Sequence, residues 1–79
     1  MLKLKIVSPE KVIFDGEVES LKVPGIQGGF EILTNHAPII SSLVKGDVEY
    51  KGKGESKKLS IIGGFVEVKK NEISLCVEI

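Results

Sequence analysis

Apolar side chains in this chain recur at every second residue, in short runs that glycine, proline or asparagine repeatedly interrupts. Leu2, Leu4 and Ile6 alternate with lysines until Ser8-Pro9 ends the run. Successive side chains on a strand point to opposite faces, so this alternation describes a sheet with one buried face. Valine and isoleucine supply 19 of the 79 residues, while alanine occurs once, as Ala37. β-branched side chains lose rotamer freedom in a helix and pack well on a pleated surface, which reinforces the strand reading. The chain reads as all-β.

The punctuation divides it into strands. Val12 to Phe14 leads into Asp15-Gly16, a tight-hairpin signal, and the chain returns through Val18, Leu21 and Val23. The step from Val18 to Leu21 breaks the alternation and reads as a β-bulge. Pro24-Gly25 suits a type II turn, and a short strand from Phe30 to Leu33 runs into Thr34-Asn35-His36-Ala37-Pro38. Lys45, Asp47, Glu49, Lys51, Lys53, Glu55 and Lys57 hold alternate positions, with Val48 and Tyr50 facing the other way. That is a solvated strand face. Gly52-Lys53-Gly54 makes a turn before a strand from Leu59 to Ile62. Gly63-Gly64 then interrupts an apolar segment, the mark of a bulge or a close backbone approach. Phe65 to Lys69, a turn at Lys70-Asn71, and Ile73, Leu75, Val77 and Ile79 make a final hairpin. The expected architecture is one domain over residues 1–79, an antiparallel β-sandwich or flattened barrel of about 8–10 short strands.

A chain this short buries only about 60% of its unfolded surface, so a disulfide, a metal or a partner usually supplements the core. Cys76 is the only cysteine and His36 the only histidine, which excludes a disulfide and a Cys/His metal cluster. A partner surface is what remains. Eleven basic and eleven acidic side chains cancel, and Trp is absent. Nucleic-acid binding is therefore not expected, since it needs a basic stripe or a stacking platform. The N-terminus lacks the apolar run of a signal peptide, and no stretch reaches the length of a membrane span. A soluble, cytoplasmic protein is expected.

No group of residues reads as a catalytic site. His36 lies in a tight loop between Asn35 and Ala37-Pro38 with no second histidine in the chain, and reads as a neutral imidazole held in its loop or facing a partner. Cys76 stands out of phase with its apolar neighbours and lacks an activating base, so it reads as a half-buried structural thiol. Gly25, Gly28 and Gly29 crowd one loop, but neither phosphate-binding glycine motif is present and no helix follows. They set turn geometry and leave room for another backbone. Asp15 and Glu17 form no working carboxylate pair, and Thr34, Ser41 and Ser42 lack triad company. No cofactor or metal is implied. Ile26, Ile39, Ile40, Val44, Ile62 and Phe65 exceed what one buried face accommodates, and surplus apolar surface on so short a chain points to an interface.

The stretch Gly28-Gly29-Phe30-Glu31-Ile32-Leu33-Thr34-Asn35-His36-Ala37-Pro38, with Pro24-Gly25 upstream, resembles the epsilon subunit family of F-type ATP synthases (delta in mitochondria). Leu4 to Glu10 resembles that family's first strand and Phe14 to Val18 its first hairpin. Gly46 and Gly63-Gly64-Phe65-Val66-Glu67-Val68 follow in family order, so the resemblance covers the whole chain. It implies a ten-stranded sandwich and no catalysis. It also implies a place at the foot of the rotating central stalk, peripheral to the cytoplasmic face of a bacterial inner membrane. There the family couples proton-driven rotation of the membrane c-ring, through the gamma subunit, to ATP synthesis.

By position, the resemblance assigns the c-ring contact to Ile26, Gln27, Gly28, Gly29 and Glu31, and the gamma contact to His36, Pro38, Ile40 and Ser41. Many relatives have an acid where Gly29 stands, and here Glu31 is the nearest. The family's C-terminal helical hairpin, which carries its inhibitory action, falls outside these 79 residues, so coupling alone is implied. A second reading from the residues is a biotinyl- or lipoyl-type carrier with Lys70 at a hairpin tip. It lacks the Met-Lys-Met or Asp-Lys-Ala tripeptide of such carriers.

Overall fold

The computed structural model describes residues 1–79 and contains nine strands. These are β1 (Leu2–Val7), β2 (Val12–Val18), β3 (Ser20–Val23), β4 (Phe30–Leu33), β5 (Ile39–Leu43), β6 (Gly46–Gly52), β7 (Glu55–Ile61), β8 (Gly63–Lys69) and β9 (Glu72–Glu78). They form a five-stranded sheet in the order β2-β1-β9-β8-β5 and a four-stranded sheet in the order β4-β3-β6-β7. The sandwich expected from the alternation is present. Every pairing is antiparallel but one, because the first and last strands, β1 and β9, run parallel at the centre of the larger sheet. No helix is long and apolar enough to cross a membrane.

The core is the set of inward positions of both sheets. Leu2, Leu4 and Ile6 of β1 lie beside Ile73, Leu75 and Val77 of β9 and Val66 and Val68 of β8, facing Leu21, Val23, Ile32, Val48 and Ile61 from the smaller sheet. All the buried residues outside the loops are apolar, and no buried side-chain polar atom lacks a partner. The alternating charged positions lie outside, as expected. On the smaller sheet's outer face, Glu31, Lys22, Glu49 and Lys58 face one another in sequence across the four strands. Opposite charges directly across a ladder each contribute a few tenths of a kcal/mol, roughly, and keep the face wet.

Three local expectations need correction. Asp15-Gly16 is not a turn: both residues lie inside β2, paired with Lys5 and Leu4, and the chain reverses at Ser8–Lys11 instead. Hydrogen-bonded pairing along all of β1 outweighs the local turn preference of Asp-Gly. The break between Val18 and Leu21 is not a bulge but a corner at Glu19, where the chain leaves the larger sheet for the smaller. Val18 and Leu21 both point into the core, from opposite layers. Pro24-Gly25 does not form a type II turn, since Gly25 has no positive φ. The turn runs two residues later, with Gly28 N–H donating to the Gly25 carbonyl at 2.9 Å and Gly28 at φ 121°.

The hairpin turns at Lys53-Gly54 and Lys70-Asn71 are as expected, with positive φ at both central residues of each. That is the twist-matched two-residue hairpin, which prefers Asn-Gly. Lys53 sits at φ 47°, where a lysine is less comfortable than an asparagine. Replacing Lys53 with Asn is expected to stabilise the domain by about 0.5 kcal/mol, raising its melting temperature by a few degrees. Thermal unfolding followed by circular dichroism checks this, and no rise would contradict the turn assignment.

Candidate functional site

Register places the loops at two ends of a body measuring 26 × 24 × 18 Å. One end carries the Gly25–Gly28 turn, the Ser8–Lys11 reversal, the β5–β6 link at Val44-Lys45, the corner at Ile62, and Ile79. The other carries the Thr34–Pro38 loop and the Lys53-Gly54 and Lys70-Asn71 turns.

The glycine-rich turn is built onto β5. Gly25 bridges to Leu43, Ile26 N–H donates to the Ser42 carbonyl at 3.0 Å, and Val44 N–H donates to the Pro24 carbonyl at 2.9 Å. A side chain at Gly25 would come within 2.7 Å of the Gly28 carbonyl and 2.8 Å of the Phe30 ring, so that glycine permits a close approach. The turn and β5 thus share an open groove of about 460 Å³ lined by Ile26, Gln27, Gly28, Gly29, Ile40 and Ser41, among others. Ile26 is 64% exposed and Ile40 is 73% exposed on the groove's rim.

Six of the nine assigned residues come together, and three do not. Ile26, Gln27, Gly28 and Gly29 come together with Ile40 and Ser41. Glu31 does not join them; it lies on the outer face of the smaller sheet, opposite Lys22. His36 and Pro38 lie at the far end, beyond the start of β5. His36 N–H donates to the Leu33 carbonyl at 3.1 Å, and its ring Nδ1 lies 2.7 Å from the Ala37 carbonyl. A carbonyl only accepts, so in this contact Nδ1 is the donor. The imidazole is half-buried and held in its loop, as expected.

The larger sheet's outer face is graded. Glu17, Lys3, Glu72 and Lys69 form a charged row near the His36 end, and Asp15, Lys5, Ser74, Glu67 and Ile40 form the next. The row at the turn end is Val12, Val7, Cys76, Phe65 and Ser42. It borders a shallow cavity of about 300 Å³ lined by Val7, Pro9, Phe65 and Cys76. Cys76 is half-buried there, and Lys70 stands exposed at its hairpin tip. Of the surplus apolar residues, Ile26, Ile40, Val44, Ile62 and Phe65 are exposed, whereas Ile39 packs against the core. The reading from sequence missed Val7 and Val12. Their signal was adjacency to another apolar residue, Ile6 and Ile13, because a strand cannot bury two successive side chains on one face.

These features define a class: a β-sandwich domain with a polar flank and an apolar end. A family model of the β-sandwich domain of the ATP synthase delta/epsilon chain matches residues 1–79, and the chain belongs to that family. The ATP synthase epsilon chain of Leptospira interrogans is 48% identical over 77 residues, covering 98% of this chain and 61% of that one. The epsilon chain of Gloeobacter violaceus is 39% identical over 74 residues, covering 94% of this chain and 56% of that one. This chain therefore spans about three fifths of the length of such relatives. Among solved structures, a chain of the Euglena gracilis mitochondrial ATP synthase (OSCP/F1/c-ring) superposes with TM-score 0.91 at 20% identity, covering 96% of this chain and 49% of that one. A chain of the Tetrahymena thermophila mitochondrial ATP synthase central stalk and c-ring gives TM-score 0.84 at 19% identity, covering 99% and 63%. At those identities the superpositions establish the fold. The family is not one of carriers, and the Lys70 reading is set aside.

Proposed function

We propose that this domain is a non-catalytic rotor element of an F-type ATP synthase, binding the gamma subunit and the c-ring and coupling rotation to ATP synthesis. The complex holds it peripherally at the cytoplasmic face of a bacterial inner membrane, and it needs no cofactor. The observation that carries this reading is the pair of exposed isoleucines, Ile26 and Ile40, on the rim of the groove between the Gly25–Gly28 turn and β5. An exposed apolar cluster beside a polar flank is the ordinary signature of a protein contact. Family membership supports the choice of partner, as does the likeness to chains from central-stalk and c-ring assemblies.

In this reading Ile26, Gln27, Gly28 and Gly29 meet the polar loops of the c-ring, with Glu31 at the flank of that contact. Ile40 and Ser41 meet gamma along β5, and His36 and Pro38 extend that contact toward the opposite end. A coupling part has to transmit force without yielding. Forty backbone hydrogen bonds within the strands make the sandwich suited to that task. Calorimetric titration of the domain with the gamma subunit of the same organism is expected to show saturable 1:1 binding. Absence of any association at tens of micromolar, roughly the weak end of specific protein contacts, would sink the proposal.

A further inference from the structure

The Thr34–Pro38 loop and the β8–β9 turn are joined by a pair of side chains that neither turn requires. Asn35 N–H donates to Asn71 Oδ1 at 2.6 Å, and Asn71 Nδ2 donates back to Asn35 Oδ1 at 3.2 Å. Thirty-six residues separate the two partners. Both stand at positive φ, 67° for Asn35 and 62° for Asn71, a conformation that asparagine tolerates better than most residues. Turn geometry alone would therefore account for either asparagine, and glycine would serve as well. It does not account for the side chains exchanging two hydrogen bonds across the gap between the β4–β5 loop and the β8–β9 turn.

Asn71 is itself anchored. Its carbonyl accepts a hydrogen bond from Lys3 N–H at 2.8 Å, which ties the β8–β9 turn to β1 at the centre of the larger sheet. The loop's other hydrogen bonds are local: His36 N–H to Leu33 and the His36 ring to Ala37. Asn71 is thus the side chain that connects the loop to the rigid sheet. We infer that Asn71 is a positioning residue for the gamma contact, holding the His36–Pro38 segment against the larger sheet through Asn35 so that the imidazole is presented in one orientation. This rests on the reading that His36 and Pro38 face gamma, and it adds a residue that neither the sequence motif nor the groove includes.

Asn71→Gly separates this role from turn formation, because glycine keeps the positive φ and removes only the side chain. The variant is expected to fold. Exchange of the Asn35 amide hydrogen should quicken about tenfold, as befits loss of its one acceptor. The His36 ring resonances should shift in nuclear magnetic resonance spectra, and affinity for gamma should fall about tenfold. Asn71→Asp retains an acceptor for Asn35 N–H and should restore most of the amide protection and affinity. Unchanged Asn35 exchange in Asn71→Gly would overturn the latch. A loosened loop with undiminished gamma binding would overturn the positioning role, as would rescue of neither property by Asp. Failure of the unaltered domain to bind gamma would overturn the functional reading and the positioning role together. It is told apart from failure of the latch because amide exchange and the His36 signals are read without any partner.

Discussion

Alanine in place of Gly64 is expected to cost this domain about 3–5 kcal/mol, a large part of the whole stability of a chain this size. Gly64 is the second residue of β8, just after the chain turns the corner at Ile62 from the smaller sheet to the larger, and it pairs with Val77. Its φ is 151°, a region that residues with a Cβ rarely enter. A Cβ placed there would collide with the Cys76 carbonyl oxygen and stand 3.0 Å from Val77 Cα. Both obstacles are backbone of the central strand β9, which cannot retreat without breaking its ladders to β1 and β8. Strained backbone costs about 1–3 kcal/mol and an overpacked site a similar amount again. A fall of at least about 15 °C in melting temperature should follow, measured by thermal circular dichroism. Gly28→Ala is the control: its φ is 121°, but a Cβ there meets nothing within 4 Å. It should lose only the backbone share, about 1–2 kcal/mol. Equal losses at the two sites would remove the collision from the account.

The same glycine shows how the sequence could be read and where it could not. Gly63-Gly64 inside an apolar run signalled a close backbone approach, and one is found. The strand alternation likewise identified the core, from Leu2, Leu4 and Ile6 through Ile73, Leu75 and Val77. What alternation cannot express is a change of layer. At Glu19 and at Ile62 the chain passes from one sheet to the other, and an inward position on either side of the corner breaks the period without any bulge. The Asp15-Gly16 error has a different cause. A local turn preference of a few tenths of a kcal/mol, roughly, yields to pairing spread over a whole strand. The parallel neighbours β1 and β9 are the chain's two ends, and no local signal speaks of a contact across that separation.

The candidate contact surface was half legible for a similar reason. Ile6-Val7, Val12-Ile13, Ile32-Leu33, Ile39-Ile40, Leu43-Val44, Ile61-Ile62 and Phe65-Val66 are apolar doublets in strands or at their ends. One member of each is the more buried and packs on the core; the other faces outward. Such doublets therefore mark exposed apolar residues from sequence, except at Ile13-Phe14, where the register shift in the β1–β2 ladder lets both pack on the core. They do not say that Val7, Val12 and Phe65 share one row, because that depends on register across three strand pairings.

If β5 meets gamma as proposed, Ile40→Lys is expected to weaken that binding by about 2 kcal/mol or more, which is roughly 30-fold in Kd, while leaving the fold intact. The isoleucine is 73% exposed in the free domain, so truncating or replacing it leaves no cavity. Across the ladder it faces Glu67, and a lysine there makes an opposite-charge pair that helps the sheet. At an interface the balance reverses. An isoleucine on the rim of the groove gives up its hydration on binding and gains packing; a lysine has to carry its charge out of water or hold the surfaces apart. Leu33→Lys supplies the comparison, because Leu33 is also exposed, at 51%, but lies on the smaller sheet near the opposite end. Its replacement should change affinity less than about twofold, within the scatter of neutral surface changes. Titration of both variants against gamma, with melting curves alongside, distinguishes a defined surface from general stickiness. Equal losses would mean that any exposed apolar residue contributes alike, and an unaffected Ile40→Lys would remove β5 from the contact.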